Sequence, residues 1–187
     1  MLIHASNGLV EGNHFYMNQG SAIQIQCGVE QRWAEGFGVQ NLVVRNNLIE
    51  SCDVNHWNMA VVYMDVYLPG GRTRYPIFRD IVFESNTIVD CPQAAFFLSS
   101  CANVTVTGNT VMNPNNRRIC AGDGNTLQTR ERYKGTIGIS HAQDVHIAGN
   151  TRLETIETLD KSIHVDTETC KRVMVTCNKG FQEEATS

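Results

Sequence analysis

A six-residue pattern occurs six times along this 187-residue chain and constrains its fold more than any other feature. The pattern is hydrophobic–x–hydrophobic–x–x–Asn, and its copies occupy residues 8–13, 42–47, 81–86, 104–109, 145–150 and 173–178. Five copies carry both apolar residues, whereas the first has Gly8 in place of one. Successive asparagines lie 34, 39, 23, 41 and 28 residues apart, which is the range of stacked structural repeats. The spacing therefore predicts a chain built from repeating coils.

Each copy has the features of a short strand that ends in a turn. Apolar residues two positions apart point to the same side of a strand. Asparagine tolerates left-handed backbone angles, bonds to nearby backbone groups, and can form ladders with stacked copies of itself. Another apolar residue follows the asparagine at Phe15, Ile49, Ile88 and Val111, and shifts by one position to Leu153 and Phe181 in the last two copies. A further strand signal occurs at residues 23–25, 61–64, 96–98, 137–139 and 163–165.

These short strands and Asn/Gly turns, without a long helical period, predict an all-β fold. We expect a right-handed parallel β-helix, a solenoid of about six coils with loop insertions. It should form a single β-helix domain over residues 1–182, followed by a polar C-terminal tail at residues 183–187. Because the first coil begins close to Met1, its strand edges and core side chains need a cover. We expect an upstream polypeptide or a second copy of the chain there, and favour this chain being the C-terminal part of something longer.

The composition argues against several classes of protein. Apolar residues make up 42% of the chain and charged residues 18%, which is typical of a globular domain. A net charge of −4 argues against a nucleic-acid partner, which usually meets a basic face. The sequence contains no apolar run of about 18 residues, so we expect no membrane-spanning segment.

The seven cysteines show no C-x-x-C pair, and we therefore expect neither a metal site nor a cofactor. Cys52 and Cys91 each lie five residues after a repeat asparagine, which predicts that they stack on neighbouring coils as small buried groups. A disulfide between them is the alternative in an oxidising compartment.

Candidate binding residues lie where the repeat is interrupted. The longer Asn spacings imply insertions of roughly 11 to 18 residues, and loops on a rigid scaffold often carry binding and catalysis. The candidate substrate-binding residues are Trp33, Glu35, His56, Trp57, Asp65 and Arg72. Aromatic faces beside carboxylates, amides and guanidinium groups suit sugar rings, so they predict a glycan or polysaccharide partner. The structural alternatives are that Trp33 covers apolar surface and that Glu35 pairs with Arg32.

The first 50 residues or so resemble one region of glycoside hydrolase family 110. The resemblance rests on residues 1–15, 20–25, 32–36 and 39–47, and its most specific part is the insertion Trp33-Ala34-Glu35-Gly36. Members of that family are α-1,3-galactosidases built on a right-handed β-helix, with an extracellular or periplasmic location implied for full-length relatives. The resemblance implies that Trp33 stacks on the substrate and that Glu35 accepts hydrogen bonds from its hydroxyls. The paired aspartates of that family have no counterpart here, so catalytic residues are not identified.

Three functional hypotheses follow. The first is a carbohydrate-active β-helix, part of an inverting α-galactosidase-like glycoside hydrolase acting on galactoside-containing glycans. Its acid and base carboxylates would come from upstream coils or a partner. The second is a non-catalytic carbohydrate-binding or structural solenoid, such as an adhesin or tail-fibre segment. The third is a polysaccharide-lyase type of β-helix, for which Asp65, Arg72 and Arg74 are the nearest acidic and basic set.

Overall fold

The computed structural model describes residues 1–30, 33–55, 60–68, 71–116 and 135–182. Its strands are β1 (Leu2–Ile3), β2 (Gly8–Glu11), β3 (His14–Tyr16), β4 (Ile23–Glu30), β5 (Trp33–Glu35), β6 (Gln40–Arg45), β7 (Leu48–Glu50), β8 (Ala60–Tyr67), β9 (Phe78–Glu84), β10 (Thr87–Val89), β11 (Ala94–Thr107), β12 (Thr110–Met112), β13 (Ile137–Ala148), β14 (Thr151–Leu153), β15 (Ile163–Val165) and β16 (Lys171–Thr176). Within these ranges, no helix is long and apolar enough to span a membrane.

The strands stack in parallel as three faces of a solenoid. The first face contains β1, β4, β8 and β15 together with the N-terminal parts of β11 and β13. The second contains β2, β6, β9 and β16 together with the C-terminal parts of β11 and β13. The third is the separate sheet β3–β7–β10–β12–β14. Because β11 and β13 run through two faces, those faces form one continuous sheet, and the all-β parallel solenoid is confirmed.

The repeat asparagines form the expected ladder. In each step, the backbone N–H and the side-chain amide of one asparagine donate to Oδ1 of the next; Asn47 reaches Asn86 at 3.1 and 2.9 Å. The same contacts join Asn13 to Asn47, Asn86 to Asn109, Asn109 to Asn150, and Asn150 to Asn178. Each inner side chain also donates to a backbone carbonyl of the preceding coil, as Asn86 does to Val44 at 2.9 Å. The amide groups of these buried corners are therefore satisfied within the protein.

A second column of corners lies where the chain enters the second face, and the sequence pattern did not predict it. The column contains Asn7, Asn41, Asp80, Asn103, Asp144 and Arg172, whose φ angles all lie between 52° and 58°. Five of the six are Asn or Asp, the non-glycine residues that adopt this left-handed conformation most readily. Three neighbouring pairs in the column are joined by side-chain bonds: Asn41 donates to Asn7 Oδ1 at 2.9 Å, Asn103 donates to Asp80, and Arg172 donates to Asp144. Two stacked corners therefore bracket each strand of the second face.

The core lies inside the coils, and its third-face row corrects one expectation. Ile49, Ile88 and Val111 stack in register as expected. The next residue in the row is Arg152 rather than Leu153, because Val111 pairs with Arg152, and Leu153 is 42% exposed. Leu153 was expected in the core row because the sequence pattern takes account of apolar residues only. Arg152 is tolerated inside because its guanidinium donates to Thr136 Oγ1 at 3.0 Å and to Glu154 Oε1 at 3.0 Å. Phe181 does pack against the core.

Cys52 and Cys91 are fully buried free thiols rather than a disulfide. Both lie in the same apolar cluster as the stacked core residues. Burial raises the pKa of Cys52 and raises that of Cys91 to about 12, because a thiolate would lose its hydration. They therefore behave as small core groups.

Candidate functional site

Asp65 and Arg72, two of the residues singled out from the sequence, form an ion pair on the outer side of the first face. Arg72 donates from Nε to both carboxylate oxygens at 3.0 and 3.1 Å and from Nη2 to Oδ2 at 2.9 Å. The Asp65 carboxylate also accepts from the Tyr63 hydroxyl and the Val66 backbone N–H, both at 2.9 Å, and from the Ser99 hydroxyl. These donors occupy the lone-pair directions of the carboxylate. Asp65 is therefore a fully bonded anchor for Arg72.

Strand register explains why polar groups gather at this place. Inward-facing Met64, Leu98 and Ile139 belong to the core, so the residue that follows each one points outward. These three outward-facing residues and Asp166 form a row across four coils. We call it the polar row, and it contains Asp65, Ser99, Ser140 and Asp166. Ser99 pairs with Ser140. Ile139 pairs with Val165, and the N–H of the next residue, Asp166, donates to the Ile139 carbonyl.

An aromatic pair supports the Arg72 side chain. The guanidinium carbon of Arg72 lies 5.0 Å from the centroid of the Phe97 ring, and Phe97 stacks with Tyr63 at 5.7 Å. Both rings are buried, and both lie on the outer side of the face beside the polar row. A guanidinium over an aromatic face gains a cation–π contact. Arg72 thus extends from a buried anchor towards the surface, where its side chain is 23% exposed.

The segment that carries Arg72 is attached to a segment almost a hundred residues away. The Thr73 backbone N–H donates to Ser100 Oγ at 3.3 Å, and Arg74 Nη2 donates to the Glu168 carbonyl at 2.7 Å across 94 residues of sequence. The turn that begins at Asp166 is itself ordered by side-chain bonds. Asp166 accepts from the Glu168 N–H at 3.1 Å and from the Thr169 hydroxyl at 2.6 Å.

His141 lies between these two segments. Its backbone has a φ of 49°, its N–H donates to Thr169 Oγ1 at 2.9 Å, and its Nδ1 lies 3.3 Å from Ser140 Oγ. Burial lowers the pKa of His141, and the charges of Arg72 and Arg74 lower it further, against the opposing effect of the Asp166 and Asp65 carboxylates. The Thr169 hydroxyl is the main cause that lowers the pKa of Asp166. Near neutral pH the site therefore presents two guanidinium groups, a largely neutral imidazole and a carboxylate.

The other sequence candidates are only partly described. Trp33 and Glu35 lie in β5, which pairs antiparallel with β4 through the pairs Glu30–Trp33 and Gly28–Glu35. Since β4 also pairs with β8, their backbone belongs to the same sheet as Asp65. His56 and Trp57 lie outside the described residues. The structure thus brings Asp65 and Arg72 together and leaves the side chains of the other four candidates unplaced.

Two residues of this site, His141 and Asp166, were not among the candidates, and Arg74 was named only for the lyase-type hypothesis. A usable signal did exist for Asp166, because polar residues directly follow the mutually paired residues Met64, Leu98 and Ile139 on successive coils. The sequence alone does not show which strand ends lie side by side, because the coils contain insertions of unequal length. Among the described residues, no group of three or more His, Cys, Asp or Glu side chains is arranged to hold a metal ion.

Comparisons with known proteins match this architecture. Residues 37–151 fit the family model described as "Right handed beta helix region". A stretch of 115 residues, 60% of the chain, is 25% identical to Alpha-1,3-galactosidase B from Bacteroides thetaiotaomicron. The aligned stretch covers 18% of that protein, so the chain spans less than a fifth of the relative that it matches.

Proposed function

Because the chain belongs to the right-handed β-helix family, we propose that it is a carbohydrate-active module. Its distant similarity to Alpha-1,3-galactosidase B supports a role as part of a glycoside hydrolase that acts on galactoside-containing glycans. The observation that carries the proposal is the surface-reaching Arg72, which is held by a buried carboxylate of the polar row and whose charge acts on His141. Trp33 and Glu35 are proposed as further sugar contacts from the adjoining hairpin.

The site offers the alternation of donors and acceptors that sugar hydroxyls require. Arg72 and Arg74 supply N–H donors, the ionised Asp166 is an acceptor, and His141 can act as either. The Asp65 anchor fixes the orientation of Arg72, so less side-chain entropy is lost when a ligand binds. A pre-ordered donor beside a fixed acceptor is the arrangement that gives selectivity among sugar stereoisomers.

Hydrolysis needs two carboxylates on either side of the glycosidic bond, and Asp65 is poorly suited to be one of them. Its oxygens are already engaged by Arg72, Tyr63, Ser99 and a backbone N–H. In the proposal, the acid and base come from coils of a longer polypeptide or from a partner. The same engagement of Asp65 disfavours the lyase-type alternative, in which this carboxylate would have to bind Ca²⁺. It favours, as the second candidate, a module that binds carbohydrate without cleaving it.

The test is a titration of the chain with an oligosaccharide that ends in α-1,3-linked galactose, with an assay for released galactose. We expect heat of binding without release, and loss of at least about tenfold in affinity for Arg72→Gln, since about 1.4 kcal/mol corresponds to tenfold. Arg172→Gln is the matched control, because Arg172 is an exposed arginine paired with Asp144 away from this site. Thermal melting of each variant separates lost binding from lost folding. Absence of binding to every galactoside tried would end the proposal, and release of galactose would exclude the non-catalytic candidate.

A further inference from the structure

We propose that Arg72, Arg74 and His141 form a subsite for an anionic group on the bound sugar, either a carboxylate or a sulfate ester. We call these three residues the Arg–His cluster. The proposal rests on the function proposed above and adds a substrate class: a galactose-containing chain that carries negative charge.

Arg74 provides the first argument. Its side chain is exposed, and among the described residues its guanidinium makes one hydrogen bond, to the backbone carbonyl of Glu168. A carbonyl fixes the position of the guanidinium without neutralising its charge. The remaining N–H donors form a planar fork that matches carboxylate or sulfate oxygens. Arg74 is therefore positioned but not ion-paired within the described part of the chain.

The second argument is the convergence of positive groups from separate segments. Arg72 and Arg74 come from the segment before β9, and His141 comes from the middle of β13. The two segments meet through the bond from Arg74 to Glu168 and the bond from the His141 N–H to Thr169. Burial is the main cause that lowers the pKa of His141, and the charges of Arg72 and Arg74 add to it by repelling positive charge on the imidazole. An anion placed among them would relieve that repulsion.

The carboxylates near Arg72, Arg74 and His141 do not cancel the positive potential of these residues at the protein surface. Asp65 is buried and pairs with Arg72, so its charge orients one guanidinium from below. Asp166 is occupied by the Thr169 hydroxyl and the Glu168 N–H. The carboxylate of Glu168 is exposed to solvent, where screening is strong. An incoming anion is therefore met by the N–H donors of Arg74 and the exposed part of Arg72, while the two hydrogen bonds that Asp166 accepts stabilise the negative charge of its carboxylate.

The test compares three oligosaccharides of equal length by calorimetry: a neutral α-galactoside, an oligogalacturonate and a sulfated galactan fragment. We expect one or both anionic ligands to bind at least about tenfold more tightly than the neutral one in about 50 mM salt. The difference should shrink in about 300 mM salt, because exposed charges are screened. It should also grow as pH falls below the usual His pKa, because a bound anion favours the protonated imidazole. Comparing the affinity for the oligogalacturonate with that for the sulfated galactan fragment identifies which anion is recognised.

Arg74→Gln should abolish the preference for the anionic ligand, because it should weaken binding of that ligand far more than binding of the neutral galactoside, whereas Arg172→Gln should alter neither. Arg74→Lys keeps the charge without the fork and should retain part of the preference. Equal binding of all three ligands, or an anionic preference that survives Arg74→Gln, would overturn this inference and leave the proposed function standing. Failure to bind any of the three would overturn both.

Discussion

The carboxylate of Asp65 lies beneath the surface of the first face and holds the Nη2 of Arg72 at 2.9 Å, so a buried anion orients a cation that reaches solvent. The pair links the rigid β8 to the segment that precedes β9. Its geometry is fixed from the protein side by the Tyr63 hydroxyl, the Ser99 hydroxyl and the Val66 N–H. This arrangement makes Arg72 a pre-positioned group rather than a flexible surface arginine.

Asp65→Asn should lower the free energy of unfolding by about 2–4 kcal/mol, because the charge of one partner in a largely buried ion pair is removed while the donor groups of Arg72, Tyr63, Val66 and Ser99 remain in place. Urea denaturation measures the change. Asp144→Asn is the control, since Asp144 pairs with Arg172 in an exposed position and should leave the denaturation midpoint almost unchanged. Equal effects of the two substitutions would mean that Asp65 is not the anchor described here.

Asn86→Leu should destabilise the solenoid by about 1–3 kcal/mol for each buried amide group that loses its partner. The Asn47 backbone N–H would lose its acceptor, and the Asn47 side-chain amide would lose one of the three oxygens to which it donates. Asn13→Leu is the matched comparison, because Asn13 is an exposed end of the ladder and donates to Asn47 and to the Glu11 carbonyl. Thermal or urea unfolding should show a clearly larger loss for Asn86→Leu. A loss at Asn13 as large as that at Asn86 would contradict a ladder stabilised by burial.

Stability below pH 5 should depend on Glu154. Hydrogen bonds from Lys161, Thr158 and Arg152, in that order, hold the pKa of Glu154 at about 2 instead of 4.5. Because the folded-state pKa is the lower one, this contribution is complete above about pH 4.5 and is lost as pH falls towards 2. The melting temperatures of the wild type and Glu154→Gln should therefore converge across that window, while Glu157→Gln, a nearby exposed control, should follow the wild type throughout. A difference between wild type and Glu154→Gln that stays constant with pH would rule out this linkage.

The thiols should differ sharply in their reaction with an alkylating reagent at about pH 8. Cys177 is exposed, whereas Cys91 and Cys101 are buried and burial raises the pKa of both thiols. Since the thiolate is the reactive species, we expect Cys177 to be labelled in minutes and the two buried thiols only after unfolding in denaturant. Site-resolved mass spectrometry distinguishes the positions. Rapid labelling of Cys91 in the native protein would show that the coil interior opens readily.

The repeat asparagines allowed the fold to be predicted because a corner of the coil is a local property. Each corner has a left-handed residue directly before the repeat asparagine and an amide that bonds along the stack, and the six-residue pattern records the second of these requirements. The right-handed parallel β-helix was therefore expected before any contact was known, and the family match over residues 37–151 confirms it. The buried Arg152 was missed because its tolerance depends on Thr136, Glu154 and Thr158, which no hydrophobic pattern records.

The candidate site was predictable only in part. Asp65 and Arg72 are seven residues apart in the sequence, so both could be selected from one short stretch of the chain. Arg74 meets the turn that contains Glu168 across 94 residues, and His141 reaches Thr169 across 28. The placement of Trp33, Glu35, His56 and Trp57 around the substrate stays a prediction. Their side chains are not described.

The sequence by itself determined that this chain winds into stacked coils with asparagine corners, because turn conformation and strand alternation are set by residues close together in the chain. Only the tertiary structure decided which strand ends lie side by side, and hence that Arg72, Arg74, His141 and Asp166 share one surface. The reason is physical: the register between coils is fixed by long-range packing and by insertions of unequal length. Charges far apart in sequence become neighbours only after every coil between them has closed.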